Sequence, residues 1–88
     1  MQAVHEAAIR NDVEELRRLL DEDPGLIEAT NRQELDKTPL YYACEMGAVD
    51  AARFLLDRGA DMAKRDGVEW TPLLCACYWG NADIVSLL

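Results

Sequence analysis

The sequence holds few of the residues on which catalytic and metal chemistry depends. Among 88 residues there is one histidine, His5, and there are three cysteines, Cys44, Cys75 and Cys77. A lone histidine leaves no second imidazole for a metal or a relay. An odd number of cysteines without framework spacing argues against a disulfide scaffold. It points to a reducing, intracellular setting, cytoplasmic or nuclear. Basic side chains are also scarce, 9 against 17 acidic ones, for a net charge of -8. Such a surface repels phosphate backbones and offers no polybasic segment to an anionic membrane, so neither nucleic acid nor membrane is expected as a partner. No apolar run approaches the roughly 18 residues of a membrane-spanning helix. The opening residues, Met1 to Glu6, do not place a basic stretch before an apolar one, so no signal peptide is visible.

Apolar side chains are plentiful, at half of all residues, and they run along the whole chain. The length allows one small domain with a limited core. The acidic excess is uneven. Residues 1–36 carry ten acidic and four basic side chains, and residues 37–88 carry seven and five.

Self-similarity organises the chain. Thr38-Pro39-Leu40-Tyr41-Tyr42-Ala43-Cys44 recurs 33 residues later as Thr71-Pro72-Leu73-Leu74-Cys75-Ala76-Cys77. Gly47 then matches Gly80, Asp50 matches Asp83 and Leu55 matches Leu88, without a gap. Threonine at an N-cap followed by proline at the first helical position is a strong helix start. Each short helix ends at a glycine, Gly47 or Gly80, which suits a left-handed C-cap. A second helix is predicted from Val49 to Asp57, with Ala51, Ala52, Phe54, Leu55 and Leu56 as its apolar stripe. Residues 62–70 read as a turn-rich connector. A helix pair this short cannot bury its own apolar faces and must stack on copies of itself.

These landmarks, together with Phe54-Leu55-Leu56-Asp57-Arg58-Gly59-Ala60-Asp61, resemble the ankyrin repeat family. The resemblance implies an all-α solenoid of stacked helix–turn–helix units, each followed by a hairpin-like finger. It also implies a non-enzymatic, protein-binding scaffold. The N-terminal segment fits more loosely. Val4 to Ala8 aligns with Leu40 to Cys44, but Gln2 and Ala3 stand at the Thr-Pro positions, so the helix-start signal is missing. The connector from Leu20 to Thr38 is also three residues longer than that from Leu56 to Thr71. The expected organisation is one domain over 1–88. Repeat 1 spans about 1–32, repeat 2 about 33–65, and a truncated repeat 3 about 66–88.

The ends differ. At the positions of Tyr42, Ala51 and Phe54 the third repeat has Cys75, Ile84 and Leu87, but the first has Glu6, Glu15 and Arg18. Stacked repeats need two apolar sides and a terminal one needs a polar side. The first repeat therefore reads as a cap. The third reads as internal, which makes the chain an expected fragment of a longer array.

Candidate chemistry is thin. Within the family resemblance, His5 stands where histidine follows Thr-Pro-Leu and ties neighbouring loops by hydrogen bonds. Cys75 and Cys77 lack the further soft ligands that a zinc site needs, and Cys44 and Cys77 read as small buried residues beside Ala43 and Ala76. Asp21-Glu22-Asp23 reads as a solvated face. No cofactor, metal or small-molecule substrate is expected.

The resemblance also assigns a partner-binding face. The residue before Thr-Pro and the pair before the glycine line the concave side. These are Lys37, Glu45 and Met46 in the second repeat, and Trp70, Tyr78 and Trp79 in the third, with Ile9 and Arg10 corresponding in the first. Large aromatic rings are where binding energy concentrates, so Tyr78 and Trp79 are the expected anchors. The acidic flank (Glu6, Glu14, Glu15, Asp21, Glu22, Asp23) favours a basic partner. The alternative is a regulatory or substrate-recruiting segment of a larger enzyme or channel.

Overall fold

The computed structural model describes residues 1–88. Its helices come in three pairs: α1 (Ala3–Ile9) with α2 (Val13–Glu22), α3 (Pro39–Met46) with α4 (Val49–Asp57), and α5 (Pro72–Tyr78) with α6 (Ala82–Leu87). The inner helices stack in sequence order, with α3 packed between α1 and α5, and α4 lies between α2 and α6. The whole measures 32 × 25 × 20 Å.

Helix starts follow the capping chemistry. The Thr38 hydroxyl accepts the Tyr41 N–H at 3.2 Å, and Thr71 accepts Leu74 N–H at 3.2 Å. Pro39 and Pro72 fill the first turn, where no N–H is required. The α1 start, for which no signal was visible, has a different solution. The Gln2 N–H donates to Nδ1 of His5 at 3.3 Å, so the histidine reaches back to satisfy an orphan donor. After each inner helix the chain turns through a left-handed residue: Gly47 and Gly80 at φ 71° and Asn11 at φ 59°.

Stacking is close because small residues lie at the contact. Ala7, Ala43 and Ala76, which share one repeat position, are each fully buried. Leu16, Leu20, Leu40, Leu55 and Ile84 fill the space between inner and outer helices. Burying each such aliphatic side chain contributes about 1.5–3 kcal/mol.

The fingers are hairpin-like turns rather than strands. In the first, Asn31 N–H donates to Lys37 O at 3.0 Å and the two residues form an isolated bridge. In the second, Asp66 N–H donates to Trp70 O at 2.8 Å. Comparing these closures locates the extra three residues of the first connector. Two lie inside the finger, where the short 3₁₀ turn Arg32–Glu34 takes them up, and one lies before it, near the turn Pro24–Glu28.

The two ends present opposite chemistry. Glu6 and Arg18 are exposed and Glu15 half-exposed on the outer side of the first pair. The third pair exposes apolar positions whose counterparts in the second are covered. Leu40 and Tyr41 are 1% and 5% exposed, whereas Leu73 and Leu74 are 42% and 51% exposed. Cys77 corrects the expectation of a buried small residue. Its counterpart Cys44 is buried beneath α5, but no element packs over Cys77, which is exposed. Cys75 is the thiol that α3 covers.

Candidate partner-binding groove

A hollow of about 620 Å³ runs along the inner helices beside the first finger. All three helix pairs build its walls. The first supplies Ile9 beside Met1, the second Glu34, Lys37, Tyr42, Glu45 and Met46, and the third Trp79. Residues 33 or 36 apart come together here because each ends its inner helix on the same side. Met46 and Trp79 remain 56% exposed along this wall.

Polar groups in the groove are fixed by one another. The Lys37 ammonium lies 3.2 and 3.3 Å from the two Glu45 carboxylate oxygens, and both side chains are largely buried. It also stands 5.6 and 5.7 Å from the ring centres of Tyr41 and Tyr42. Asn31 Nδ2 donates to the Tyr42 hydroxyl at 2.9 Å, and that hydroxyl donates to Glu34 Oε1. Burial, then the bond to Glu34, raises the Tyr42 phenol well above its ordinary range, so it stays a donor.

Trp70, Tyr78 and Trp79 form a ridge beside the groove. Tyr78 stands edge-on to Trp70 at 5.2 Å and to Trp79 at 5.0 Å. Tyr78 is 67% exposed, while Trp70 is half-buried behind it. Such T-shaped contacts are worth about 0.5–1.5 kcal/mol each beyond the area they bury. Asp66 secures Trp70 from below, its Oδ1 accepting the N–H groups of Val68 and Trp70 at 2.9 Å each. Of the residues expected to bind a partner, Lys37, Glu45, Met46 and Trp79 meet in one hollow, and Trp70 and Tyr78 flank it. Arg10 lies apart, in a neighbouring hollow of about 330 Å³ with Met1, Glu6 and Ile9.

Glu34, Tyr42 and Met1 line the groove without having been expected there. Glu34 lies in the first finger, which is two residues longer than the second. The longer connector was visible as a number, but its folded path was not.

The remaining reactive groups are held quiet. Burial pushes the Cys44 thiol up to about 12 and the Cys75 thiol up to about 11, so neither forms the thiolate that a nucleophile requires. His5 is fully buried. Its Nε2 hydrogen-bonds Ala29 O at 2.8 Å, tying α1 to the segment that leads into the next repeat.

The comparisons with known proteins agree with this architecture. The family model for ankyrin repeats (many copies) matches residues 4–56 and 40–88. Rat ankyrin repeat and SAM domain-containing protein 6 is 36% identical over 74 residues, covering 83% of this chain and 8% of that protein. The serine/threonine-protein kinase VIK of Arabidopsis thaliana is 39% identical over 81 residues, covering 92% of this chain and 18% of the kinase. The chain thus spans less than a fifth of the curated relatives it matches. The crystal structure of the human ASB11 ankyrin repeat domain superposes with a TM-score of 0.85 at 28% identity, over 99% of this chain and 38% of that one. The repeats, the capped helix pairs, the finger turns and these matches together place the chain in the ankyrin-repeat family.

Proposed function

We propose that this domain is a non-enzymatic recognition module that binds a protein partner on its concave face. The observation that carries the reading is the pairing of a groove walled by all three helix pairs with a ridge of exposed, mutually packed rings, Tyr78 and Trp79. Exposed aromatic and Met side chains around a polar rim are the composition of a binding hot spot. The net charge of -8 and the acidic first helix pair favour a basic partner and speed its approach. Nucleic acid, membranes and small-molecule substrates are outside this reading. Three free cysteines suit an intracellular site of action, in the cytoplasm or nucleus.

Selecting binders from a displayed peptide library and measuring them against the Tyr78→Ala/Trp79→Ala double variant tests it. Affinity is expected to fall by at least about tenfold, the loss of one hot-spot residue, with unchanged helical circular dichroism. Unchanged affinity overturns the reading.

A second reading follows from the relatives, which include protein kinases in which the matched segment is a minor part. Here the same groove recruits substrates or regulators for a larger enzyme. Sequencing the full reading frame separates the two. A catalytic signature supports the recruiting role, and a frame of repeats alone removes it.

A further inference from the structure

The second finger is organised by a side chain that is almost closed to solvent. Asp66 is 7% exposed. Its Oδ1 accepts the N–H groups of Val68 and Trp70 at 2.9 Å each, and its second oxygen meets no donor in the chain. Both side-chain bonds therefore go to the finger backbone. The first is the local turn, closed two residues on, that aspartate favours. The second reaches across Glu69, whose backbone is left-handed at φ 70°, a conformation that residues with a side chain rarely hold unaided. The main chain of Asp66 adds two more bonds, donating to Trp70 O at 2.8 Å and accepting from Glu69 N–H at 3.1 Å. Together these bonds set the direction in which Trp70 leaves the finger.

From Trp70 the constraint passes to the exposed rings. Trp70 meets Tyr78 edge-on at 5.2 Å, and Tyr78 meets Trp79 edge-on at 5.0 Å. Each such contact favours the packed arrangement of the rings by roughly 2- to 12-fold.

We infer that Asp66 is a positioning residue for recognition: it does not touch the partner, but through the backbone and ring of Trp70 it sets the orientation in which Tyr78 and Trp79 meet that partner. This rests on the concave face being the recognition surface, and it adds the buried group on which the aromatic ridge depends. The role belongs to the acceptor oxygen rather than to the charge. Asn31 does the corresponding work in the first finger without a charge. Its Oδ1 accepts the Gln33 N–H at 3.2 Å, and its main-chain N–H closes the finger on Lys37 O at 3.0 Å.

Three substitutions test this in the 88-residue chain. Asp66→Ala removes both side-chain bonds, Asp66→Asn keeps the acceptor without the charge, and Trp70→Ala breaks the relay with the carboxylate in place. Two-dimensional NMR reads the ring contacts, and circular dichroism reads the helices. Asp66→Ala is expected to lose the nuclear Overhauser contacts between Trp70 and Tyr78 at unchanged helical signal, and Asp66→Asn to keep them. The binding probe is a library-selected peptide that Tyr78→Ala/Trp79→Ala weakens. Its affinity is expected to fall roughly 2- to 12-fold in Asp66→Ala and in Trp70→Ala, the worth of one ring contact. It should be unchanged in Asp66→Asn, and adding Asp66→Ala to Trp70→Ala should lower it no further. Surviving ring contacts or full affinity in Asp66→Ala, an equal loss in Asp66→Asn, or additive losses in the double variant overturns the inference. If Asp66→Ala loses its helical signal, Trp70→Ala decides, and full affinity there overturns it. Peptides that need Tyr78 and Trp79 but ignore Asp66→Ala refute the positioning role alone. Selected peptides indifferent to Tyr78→Ala/Trp79→Ala refute the concave face as well.

Discussion

Asn11 and Glu69 both hold a left-handed backbone, at φ 59° and 70°, and their side chains give that conformation opposite meanings. Asn11 stands where the later repeats have Gly47 and Gly80. Its Oδ1 accepts the Ala51 N–H at 2.8 Å, which satisfies a donor in the first turn of α4. Asn11→Gly is therefore expected to lower stability by about 0.5–1 kcal/mol despite suiting the backbone, because the bond is lost. Glu69 gains only an exposed pairing with Arg65, worth little in water. The left-handed penalty of about 1–2 kcal/mol outweighs the extra unfolded-chain entropy of glycine, about 0.5–1 kcal/mol. Glu69→Gly is expected to raise stability by about 0.5–1 kcal/mol. Urea midpoints of the two variants check both signs, and a shared sign would refute the contrast. His5 adds a pH dependence. Burial holds its pKa below 6.5 in the folded chain, so the unfolded chain binds the extra proton first. Its contribution is present above pH 6.5 and is lost as pH falls from there through the lower folded-state value. Urea titrations at pH 7.5 and 5.5 are expected to show a larger drop for the wild type than for His5→Gln. Equal drops would show that the imidazole is not the group responsible.

At the scale of elements, the third helix pair is supported on one side only. Leu73, Leu74 and Val85 stand open to solvent, whereas their counterparts in the second pair, Leu40, Tyr41 and Ala52, are buried. Substitution costs are expected to follow cover rather than residue type. Leu40→Ala should cost about 2–5 kcal/mol, and Leu73→Ala well under half of that. Amide exchange should be at least about tenfold faster through α5 and α6 than through α3, since elements with fewer buried contacts open first. Protection in α6 equal to that in α3 would refute it. Much of this level was legible in the sequence. Thr38-Pro39 and Thr71-Pro72 mark helix starts by local chemistry, and α4 runs from Val49 to Asp57 as its apolar spacing predicts. The start of α1 was not legible, because it depends on a histidine ring reaching back to Gln2 rather than on a standard cap. The place of Cys77 was not legible either. Repeat position alone cannot say whether a neighbour covers it. Glu34 escaped for a third reason: a 3₁₀ turn in a lengthened finger has no periodic signal, yet its path decides where the carboxylate points.

For the molecule as a whole, the acidic field and the groove act at different ranges. In the proposed reading, the net charge of -8 would guide a basic partner over about a Debye length, roughly 8 Å at physiological salt. The exposed rings would act only on contact. Raising salt from 50 to 500 mM should therefore slow association with a basic partner far more than it speeds dissociation. Stopped-flow measurement on a library-selected basic peptide checks this, and a salt-independent association rate would argue against steering.

The unlike ends of the stack also set how copies of the 88-residue chain can meet. Joining head to tail would press Glu6, Glu15 and Arg18 against Leu73, Leu74 and Val85, burying charge on an apolar surface. That mismatch blocks the open-ended contact from which filaments grow.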